Sequence, residues 1–381
     1  MGLIVGFTRG CPLLRFTEFV LQNTSKRYSC WDSMRSAPIT VSVAFVHGIL
    51  SGVRALGEPC DCWLQHAGIA KELLDLPDAR ITAEQYLSLF QVLIEARDDE
   101  GLGFFSRRLR RGSFAVAMRS ALLSKTVESG LKRTCQAIAF LQDDMCFNVL
   151  HENGLTGIHI TVPESYGADR LFVYGWMMRM LSRYVVWLHG GRIKAFGFDF
   201  AYPAPSFADE YEKLFSGRVR FGQERAVMWY GTENLAAPMR RDAVAMHEFL
   251  LQTPRIVIIP RRHDDETSDR IRNYLQQVRP LWPDLPATAS ALHMSISTLQ
   301  RQLANEETSF QIVKDQLRRD LAIMRLSTSA VPLAVLAGEL GFSDQAVFQR
   351  AFKMWTGSAP GAYRQNPKTL PVPPSSTAAS K

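Results

Sequence analysis

The sequence predicts an α+β N-terminal domain (helices plus a largely antiparallel sheet), followed by an all-α domain with two helix-turn-helix motifs joined by a long helix. Three observations support this prediction. Residues 145–162 alternate between apolar and polar side chains around Asn153-Gly154, a pair that favours the tight turn of a β-hairpin. Residues 268–364 keep the spacing of apolar residues that is typical of helices. Within that stretch, one helix-turn-helix pattern occurs twice, 48 residues apart.

The composition is that of an ordinary globular protein. The chain has 381 residues, of which 46% are hydrophobic and 21% are charged, and its formal net charge is +7. This charge is compatible with a nucleic-acid partner but does not require one. No stretch reaches the ~18 apolar residues that a membrane helix needs, so we expect no membrane association.

Enzyme and metal chemistry find little support in the sequence. The motifs G-x-S-x-G and H-E-x-x-H and the P-loop are all absent. The six cysteines are dispersed, which favours a reducing cytoplasm over a disulfide framework. Cys60 and Cys62 have no second pair, so packing or surface thiols are favoured over a metal site. We therefore expect no enzymatic activity, no cofactor and no bound metal.

The N-terminal half divides into an extension and one domain. Residues 1–46 are expected to form a poorly ordered extension, because polar and charged residues interrupt their apolar start. The domain covers residues 47–250, and Thr82 is a good N-cap for one of its helices. Helices are predicted over residues 48–56, 82–96, 126–140, 168–188 and 209–215. Strands are predicted over residues 145–150, 155–162, 193–201 and 226–230.

The composition changes after about Pro254, which places a linker at residues 251–267. The all-α domain follows over residues 268–366. The tail at residues 367–381 is rich in Pro and Ser and is expected to be disordered.

The first helix-turn-helix unit has a supporting helix over Leu285–Leu292 and a candidate recognition helix over Ile296–Ala304, with Ser295 as its N-cap. Leu299 and Leu303 are spaced i, i+4 and are expected to face inward. Arg side chains recognise guanine O6 and N7, and Gln side chains recognise adenine N6 and N7. The polar residues on the outward face of this helix are Ser297, Gln300 and Arg301.

The second unit repeats this pattern, with a candidate recognition helix over Asp344–Trp355. Val347 and Ala351 are expected to pack inward, and Phe348 and Phe352 fit the core better than base stacking. The outward residues are Gln345 and Gln349, with Arg350 and Lys353 on a flank that suits phosphate.

A long amphipathic helix over Phe310–Leu326 joins the two units. Because one rigid helix fixes their separation, we expect the two recognition helices to enter successive major grooves, ~34 Å apart.

The stretch from Leu340-Gly341-Phe342-Ser343-Asp344 to Tyr363-Arg364 resembles the DNA-binding domain of the AraC/XylS family of bacterial transcription regulators, and the resemblance extends over about 268–364. It implies base contacts from Ser297, Gln300, Arg301, Gln345, Ala346 and Gln349, and phosphate contacts from Arg350 and Lys353. The chain departs from the family at two places. The family often has Arg where Ser297 stands, and Glu307 replaces the Gly that usually follows the first recognition helix, so a different helix end is expected there.

The segment Gly197–Pro238 resembles the arabinose-binding-type regulatory domain of one AraC subgroup, through Phe198-Asp199-Phe200, Tyr211 and Leu214-Phe215. The resemblance implies an effector-sensing domain without naming the effector. Core packing explains most aromatic residues of this domain, and a few are candidates to line a pocket for a small apolar or amphipathic molecule.

The expected function is therefore that of a transcription regulator controlled by a small-molecule effector. The expected partners are promoter DNA and an unidentified effector, together with RNA polymerase and a second copy bound through the N-terminal domain. Two alternatives remain open: a constitutive regulator without a ligand, and an enzyme with a DNA-targeting tail.

Overall fold

The computed structural model describes residues 39–162, 169–191, 193–215, 217–258 and 267–364. The expectations for residues 1–38 and for the tail at 367–381 lie outside the described residues, as does the middle of the expected linker, 259–266. None of the described helices combines the length and the apolar character that crossing a bilayer requires.

Helices form most of the N-terminal domain. α3 begins after Thr82, whose hydroxyl accepts a hydrogen bond from the Gln85 amide while the Gln85 side chain accepts from the Thr82 amide. Thr126 and Ser129 start α5 in the same way. The predicted caps and helices are confirmed here. The helices are α1 (Val43–Ala55), α2 (Asp61–His66), α3 (Ala83–Arg97), α4 (Ser113–Arg119), α5 (Val127–Leu141), α6 (Arg170–His189), α7 (Ala208–Leu214), α8 (Thr232–Ala236) and α9 (Ala243–Ile258).

Two sheets complete this domain. The strands are β1 (Thr40–Ser42), β2 (Arg80–Thr82), β3 (Cys146–Glu152), β4 (Leu155–Thr161), β5 (Gly197–Asp199), β6 (Arg218–Arg220) and β7 (Val227–Gly231). β1 and β2 pair with each other, and the other five follow the order β3-β4-β7-β5-β6, antiparallel except for β5 and β6. Asn153 and Gly154 have φ values of 51° and 76°, so the predicted hairpin and the largely antiparallel sheet are confirmed. The sequence did not predict β6 or the small β1–β2 sheet.

The described fold starts earlier and runs further than the predicted boundaries. β1 and the first turn of α1 lie within the stretch assigned to the extension, and Val41 of β1, which pairs with β2, and Val46 of α1 are buried there. At the other end, α9 reaches Ile258 and enters the predicted linker.

α6 forms the centre of the N-terminal domain. Most of its side chains are buried, including Phe172, Trp176 and Tyr184, as expected for the apolar helix predicted at 168–188. It packs against α1, α5 and α9.

The C-terminal domain is helical, as predicted. Its elements are α10 (Thr267–Gln277), α11 (Leu285–Ala291), α12 (Ile296–Asn305), α13 (Phe310–Thr328), α14 (Leu333–Glu339), α15 (Gln345–Thr356) and a closing 3₁₀ turn (Pro360–Tyr363). Val313, Leu317 and Leu321 form the buried seam of α13, which confirms the joining helix. The two domains contact each other where β2 and the 3₁₀ segment Lys71–Asp75 meet α13 and the closing turn.

Candidate nucleic-acid interface and effector cavity

The first helix-turn-helix unit consists of α11 and α12. The Ser295 hydroxyl accepts a hydrogen bond from the Thr298 amide at 3.1 Å and so caps α12, as predicted. Leu299 and Leu303 are buried and hold α12 against the rest of the domain. All three candidate contact residues on the opposite face are exposed: Ser297, Gln300 and Arg301.

The second unit consists of α14 and α15, and its inward face differs from the prediction. Phe348 and Phe352 are fully buried, which confirms their place in the core. The expectation that Val347 and Ala351 form the inward pair is wrong, since both remain partly exposed. α15 begins at Gln345, with Asp344 as the N-cap that accepts from the Val347 amide at 2.9 Å.

This difference arises from one extra residue in the second turn. Up to the turn, the units match with a spacing of 48: the Met294 and Phe342 amides donate to Ala289 and Ala337 oxygens, each at 2.9 Å. After it, the spacing is 49. The N-caps Ser295 and Asp344 show this shift, and so do the buried residues Leu299 and Phe348.

The shift changes which surface residues are equivalent. With a spacing of 49, Gln300 corresponds to Gln349 and Arg301 corresponds to Arg350. Ser297 corresponds to Ala346 rather than to Gln345. We call the two sets the contact stripes: Ser297, Gln300 and Arg301 on α12, and Ala346, Gln349 and Arg350 on α15. The sequence carried a signal for the shift, because Phe348 and Phe352 repeat the i, i+4 spacing of the buried leucines in α12.

The cations of the candidate interface are available to bind anions. Gln345, Ala346, Arg350 and Lys353 are exposed, and Gln349 is partly exposed. Within the described part of the chain, Arg301, Arg350 and Lys353 form no ion pair. The pKa of the Asp344 carboxyl group is lowered, chiefly because its carboxylate accepts a hydrogen bond from the Val347 amide. The structure therefore brings the predicted contact residues of each unit onto one open face.

The two units are held together by a stack that the sequence did not reveal. The Arg318 guanidinium of α13 lies 5.0 Å from the Trp282 ring centre and 4.9 Å from that of Phe342. Trp282 Nε1 donates to the Glu339 carbonyl at 3.0 Å. The Lys314 ammonium donates to the Trp282 carbonyl at 3.0 Å, and burial lowers its pKa. The turn of the second unit is thus fixed to α13 and to the segment before α11.

The end of α12 does not follow the expectation drawn from the missing glycine. Glu307 takes a left-handed φ of 52°, the conformation that glycine adopts most easily. The Thr308 amide donates to the Leu303 carbonyl at 2.9 Å, which closes the helix in the usual six-to-one pattern. α12 therefore ends with the same backbone geometry, formed by a residue that adopts it less readily.

The N-terminal domain contains a cavity of about 60 Å³ between β1, α1, α3, α6 and α7. Five aromatic residues of this domain line it, namely Phe45, Tyr86, Phe172, Trp176 and Tyr211. Phe198 and Phe200 instead lie in the core, and Phe140 is exposed. The expectation that most aromatics pack and a few line a pocket agrees with this distribution.

Comparisons with known proteins agree with this two-domain arrangement. Residues 57–239 match the model described as the arabinose-binding domain of AraC transcription regulators, and residues 288–366 match a helix-turn-helix domain model; together they cover more than half of the chain. The ornithine utilization regulator of Pseudomonas aeruginosa is 27% identical over 335 residues, which are 86% of this chain and 97% of that protein. The regulator VqsM of the same species is 33% identical over 97 residues, 26% of this chain and 30% of VqsM. The crystal structure of CdpR from Pseudomonas aeruginosa aligns with 85% of this chain and 97% of its own, at 18% identity and a TM-score of 0.31.

Proposed function

Since the chain belongs to the AraC/XylS family of transcription regulators, with a ligand-binding N-terminal domain and a DNA-binding C-terminal domain, we propose that it contacts promoter DNA through the two contact stripes. The observation that carries this proposal is the equivalence of the stripes, Ser297, Gln300 and Arg301 on α12 with Ala346, Gln349 and Arg350 on α15.

Each residue type has a defined part in this proposal. Gln300 and Gln349 bond adenine edges, and Arg301 bonds guanine O6 and N7. Arg350 takes the position of Arg301, which supports a contact of the same kind, at a base edge or at the adjacent phosphate. Lys353 contacts phosphate only. We propose that Gln345, at the start of α15, also contacts a base edge.

α13 gives the two stripes a fixed spacing. Its 19 residues correspond to a rod of ~28 Å, enough to carry two recognition helices to neighbouring turns of one DNA face. The test is footprinting of the full chain on a genomically mapped operator, before and after insertion of five base pairs between the half-sites. We expect two protected groove segments, and the insertion should abolish simultaneous protection because it rotates one half-site to the other face. Equal protection of both operators would contradict the proposal.

Further properties stay predictions. We propose that the protein is no enzyme, that it acts in the cytoplasm where promoter DNA lies, and that it dimerises through its N-terminal domain and contacts RNA polymerase.

A constitutive regulator would bind its operator with the same affinity whatever metabolite is added, and this outcome separates that alternative from an effector-controlled regulator.

A further inference from the structure

We infer that the effector site is the apolar cavity between β1, α1, α3, α6 and α7, that it takes a compact, largely apolar molecule, and that its filling is transmitted to the DNA-binding domain through Arg80. The inference rests on the proposed function, because DNA binding is the output it assigns to the cavity.

The cavity wall selects an apolar occupant. Phe45, Trp176 and Leu214 present carbon to the space. The two tyrosine hydroxyls of the aromatic wall already have partners: the Tyr86 hydroxyl donates to the Phe45 carbonyl and the Tyr211 hydroxyl to the Leu171 carbonyl, each at 3.3 Å. A sugar or a diamine would lose its water in this cavity and find few hydrogen bonds in exchange, which costs several kcal/mol for such groups in general. An aromatic or branched aliphatic body loses nothing of this kind.

The two charged side chains at the cavity are already engaged by the protein. The Glu210 carboxylate accepts from Arg80 Nη1 at 2.8 Å, from Arg80 Nη2 at 3.0 Å and from Lys213 at 2.9 Å. Burial alone would raise the pKa of Glu210, but Arg80 and then Lys213 lower it to about 2, so the group stays ionised. Arg179 donates to the Leu214 carbonyl. Both charged groups are therefore bonded within the protein, and they do not determine which ligand the cavity takes.

The cavity is too small for such a ligand unless a wall moves. Its volume is about 60 Å³, whereas an apolar cavity that holds benzene measures about 150 Å³. α6 is buried along most of its length, so it cannot shift without disrupting the packing around it. α7 is a short helix over Ala208–Leu214 in which only Tyr211 is buried, so it is the wall that gives way.

Movement of α7 acts on Arg80 because Glu210 lies on α7, directly before Tyr211. Arg80 also holds β1: its Nε donates to the Thr40 hydroxyl at 2.8 Å, and its Nη2 donates to the Thr40 carbonyl at 3.0 Å. The Thr40 hydroxyl in turn donates to the Asp320 carboxylate of α13 at 2.6 Å. One side chain thus connects the cavity wall to the helix that joins the two DNA-contacting units.

At the other end of this connection, Asp320 is held by contacts within the DNA-binding domain. Asp320 is buried and accepts from Arg319 at 3.0 Å, with Arg272 of α10 at 3.7 Å. The Arg80 amide donates to the Tyr363 hydroxyl at 3.2 Å, and the Tyr363 ring packs edge-on against Phe352 of α15 at 5.1 Å. A shift of Arg80 therefore acts on both α13 and α15. An effector changes DNA binding in this way when it favours one of two positions of Arg80 over the other.

The transmission is tested with a substitution that imitates a ligand. A Cβ on Gly175 would lie 2.6 Å from Tyr211 Cε1, so Gly175→Ala pushes Tyr211, and with it α7, from inside. We expect this variant of the full chain to change the operator Kd by about fivefold or more. In the background of Glu210→Gln, which weakens the hold of α7 on Arg80, the same substitution should change Kd less than about twofold.

The matched control is Gly130→Ala, a buried helical glycine of α5 whose added Cβ would meet Met239, Ala121 and Ser124 at 3.2, 3.3 and 3.7 Å. It should leave Kd unchanged. If Gly175→Ala changed the operator Kd by the same factor in the wild type and in the Glu210→Gln background, transmission through Arg80 would be overturned. Absence of operator binding by the wild type would instead refute the proposed function.

If Gly175→Ala does not fold, the wild type still tests the proposal. Operator binding should change amide hydrogen exchange in α7, and Thr40→Val should abolish this change while Thr134→Val, a buried threonine bonded to Tyr184 at 3.0 Å, should preserve it. Unchanged exchange in α7 of the wild type would overturn the transmission.

The ligand class is tested by thermal unfolding of the full chain with indole, L-arabinose and L-ornithine at millimolar concentration. We expect indole alone to raise the Tm, because a ligand of the folded state stabilises it by mass action. A response to arabinose or ornithine without one to indole, or no response to any of the three, would overturn the assigned class.

Discussion

The two helix-turn-helix units share one backbone course but form it from different residues. Two positions in each unit take a left-handed φ. The second unit has glycine at both, Gly341 at 72° and Gly357 at 70°, whereas the first has His293 at 57° and Glu307 at 52°. Left-handed backbone costs a residue with a Cβ about 1 kcal/mol. The hydrogen bonds of the motif therefore impose this geometry, and glycine only makes it cheaper.

The units also differ in what surrounds their turns. Gly341 lies under Trp282, so close that a Cβ would be 2.5 Å from the indole ring. His293 and Gly341 are both exposed to solvent, so the difference between the two turns is the indole ring beside Gly341. The second unit is thus fixed by tertiary contacts, and it also borders the N-terminal domain through Tyr363. The first unit is held by α10 instead, since the Thr267 and Ser268 amides donate to the Glu306 carboxylate at 2.7 and 2.9 Å.

The largest expected effect comes from Gly341→Ala. The substitution adds a Cβ against Trp282 and keeps a left-handed φ, so we expect a loss of about 3 kcal/mol in the free energy of unfolding. Urea denaturation of the full chain measures it. Gly338→Ala is the matched control, because its Cβ would meet nothing within 4 Å in α14, and it should be neutral or slightly stabilising. Equal stability of the two variants would show that the Trp282 ring does not constrain the second turn.

Gln349→Ala tests whether the second stripe recognises bases. If Gln349 bonds an adenine edge with two hydrogen bonds, the variant should lose about 1–3 kcal/mol of discrimination at one operator position. Competition binding with operators substituted at each position measures this loss. Gln311→Ala, an exposed glutamine on α13 that bonds Asp315 at 2.9 Å, is the control and should keep full discrimination. Unaltered base preference in Gln349→Ala would place α15 differently on DNA.

Lys353→Ala should weaken binding by about 1 kcal/mol and equally on all sequences, because a phosphate contact carries no base information. The slope of log K against log salt should fall by about 0.9. Titrations at several salt concentrations give both quantities. Lys132→Ala in α5, far from the stripes, should leave the slope as it is; a similar change in both variants would mean that net charge alone is responsible.

The smallest expected effect is that of His293→Gly, which makes the first turn resemble the second. Relief of the left-handed strain outweighs the added chain entropy, and we expect the free energy of unfolding to rise by about 0.5 kcal/mol. His293→Ala retains the Cβ and should show no such gain. A loss of stability in His293→Gly would show that the imidazole contributes contacts that offset the backbone strain.

Much of the fold followed from local patterns. Thr82, Ser295 and the Asn153-Gly154 turn were predictable because a cap or a tight turn depends on residues within a few positions of each other. The contact stripe on α12 followed from the same periodicity. On α15 the prediction was displaced by one residue, because it kept the spacing of 48 that fits the supporting helices, although the i, i+4 spacing of Phe348 and Phe352 already indicated a spacing of 49.

The sequence by itself determined the α+β part and the helical part, the caps and hairpin, and the polar faces that we propose contact DNA, since these depend on short-range periodicity and on backbone preferences. Only the tertiary structure decided the Arg318 stack and the cavity beside α7. It also decided the contact between Thr40 and Asp320, which lie 280 residues apart in the chain. No local pattern encodes such a pair. It exists because folding brings β1 and α13 together around buried charges that must find partners.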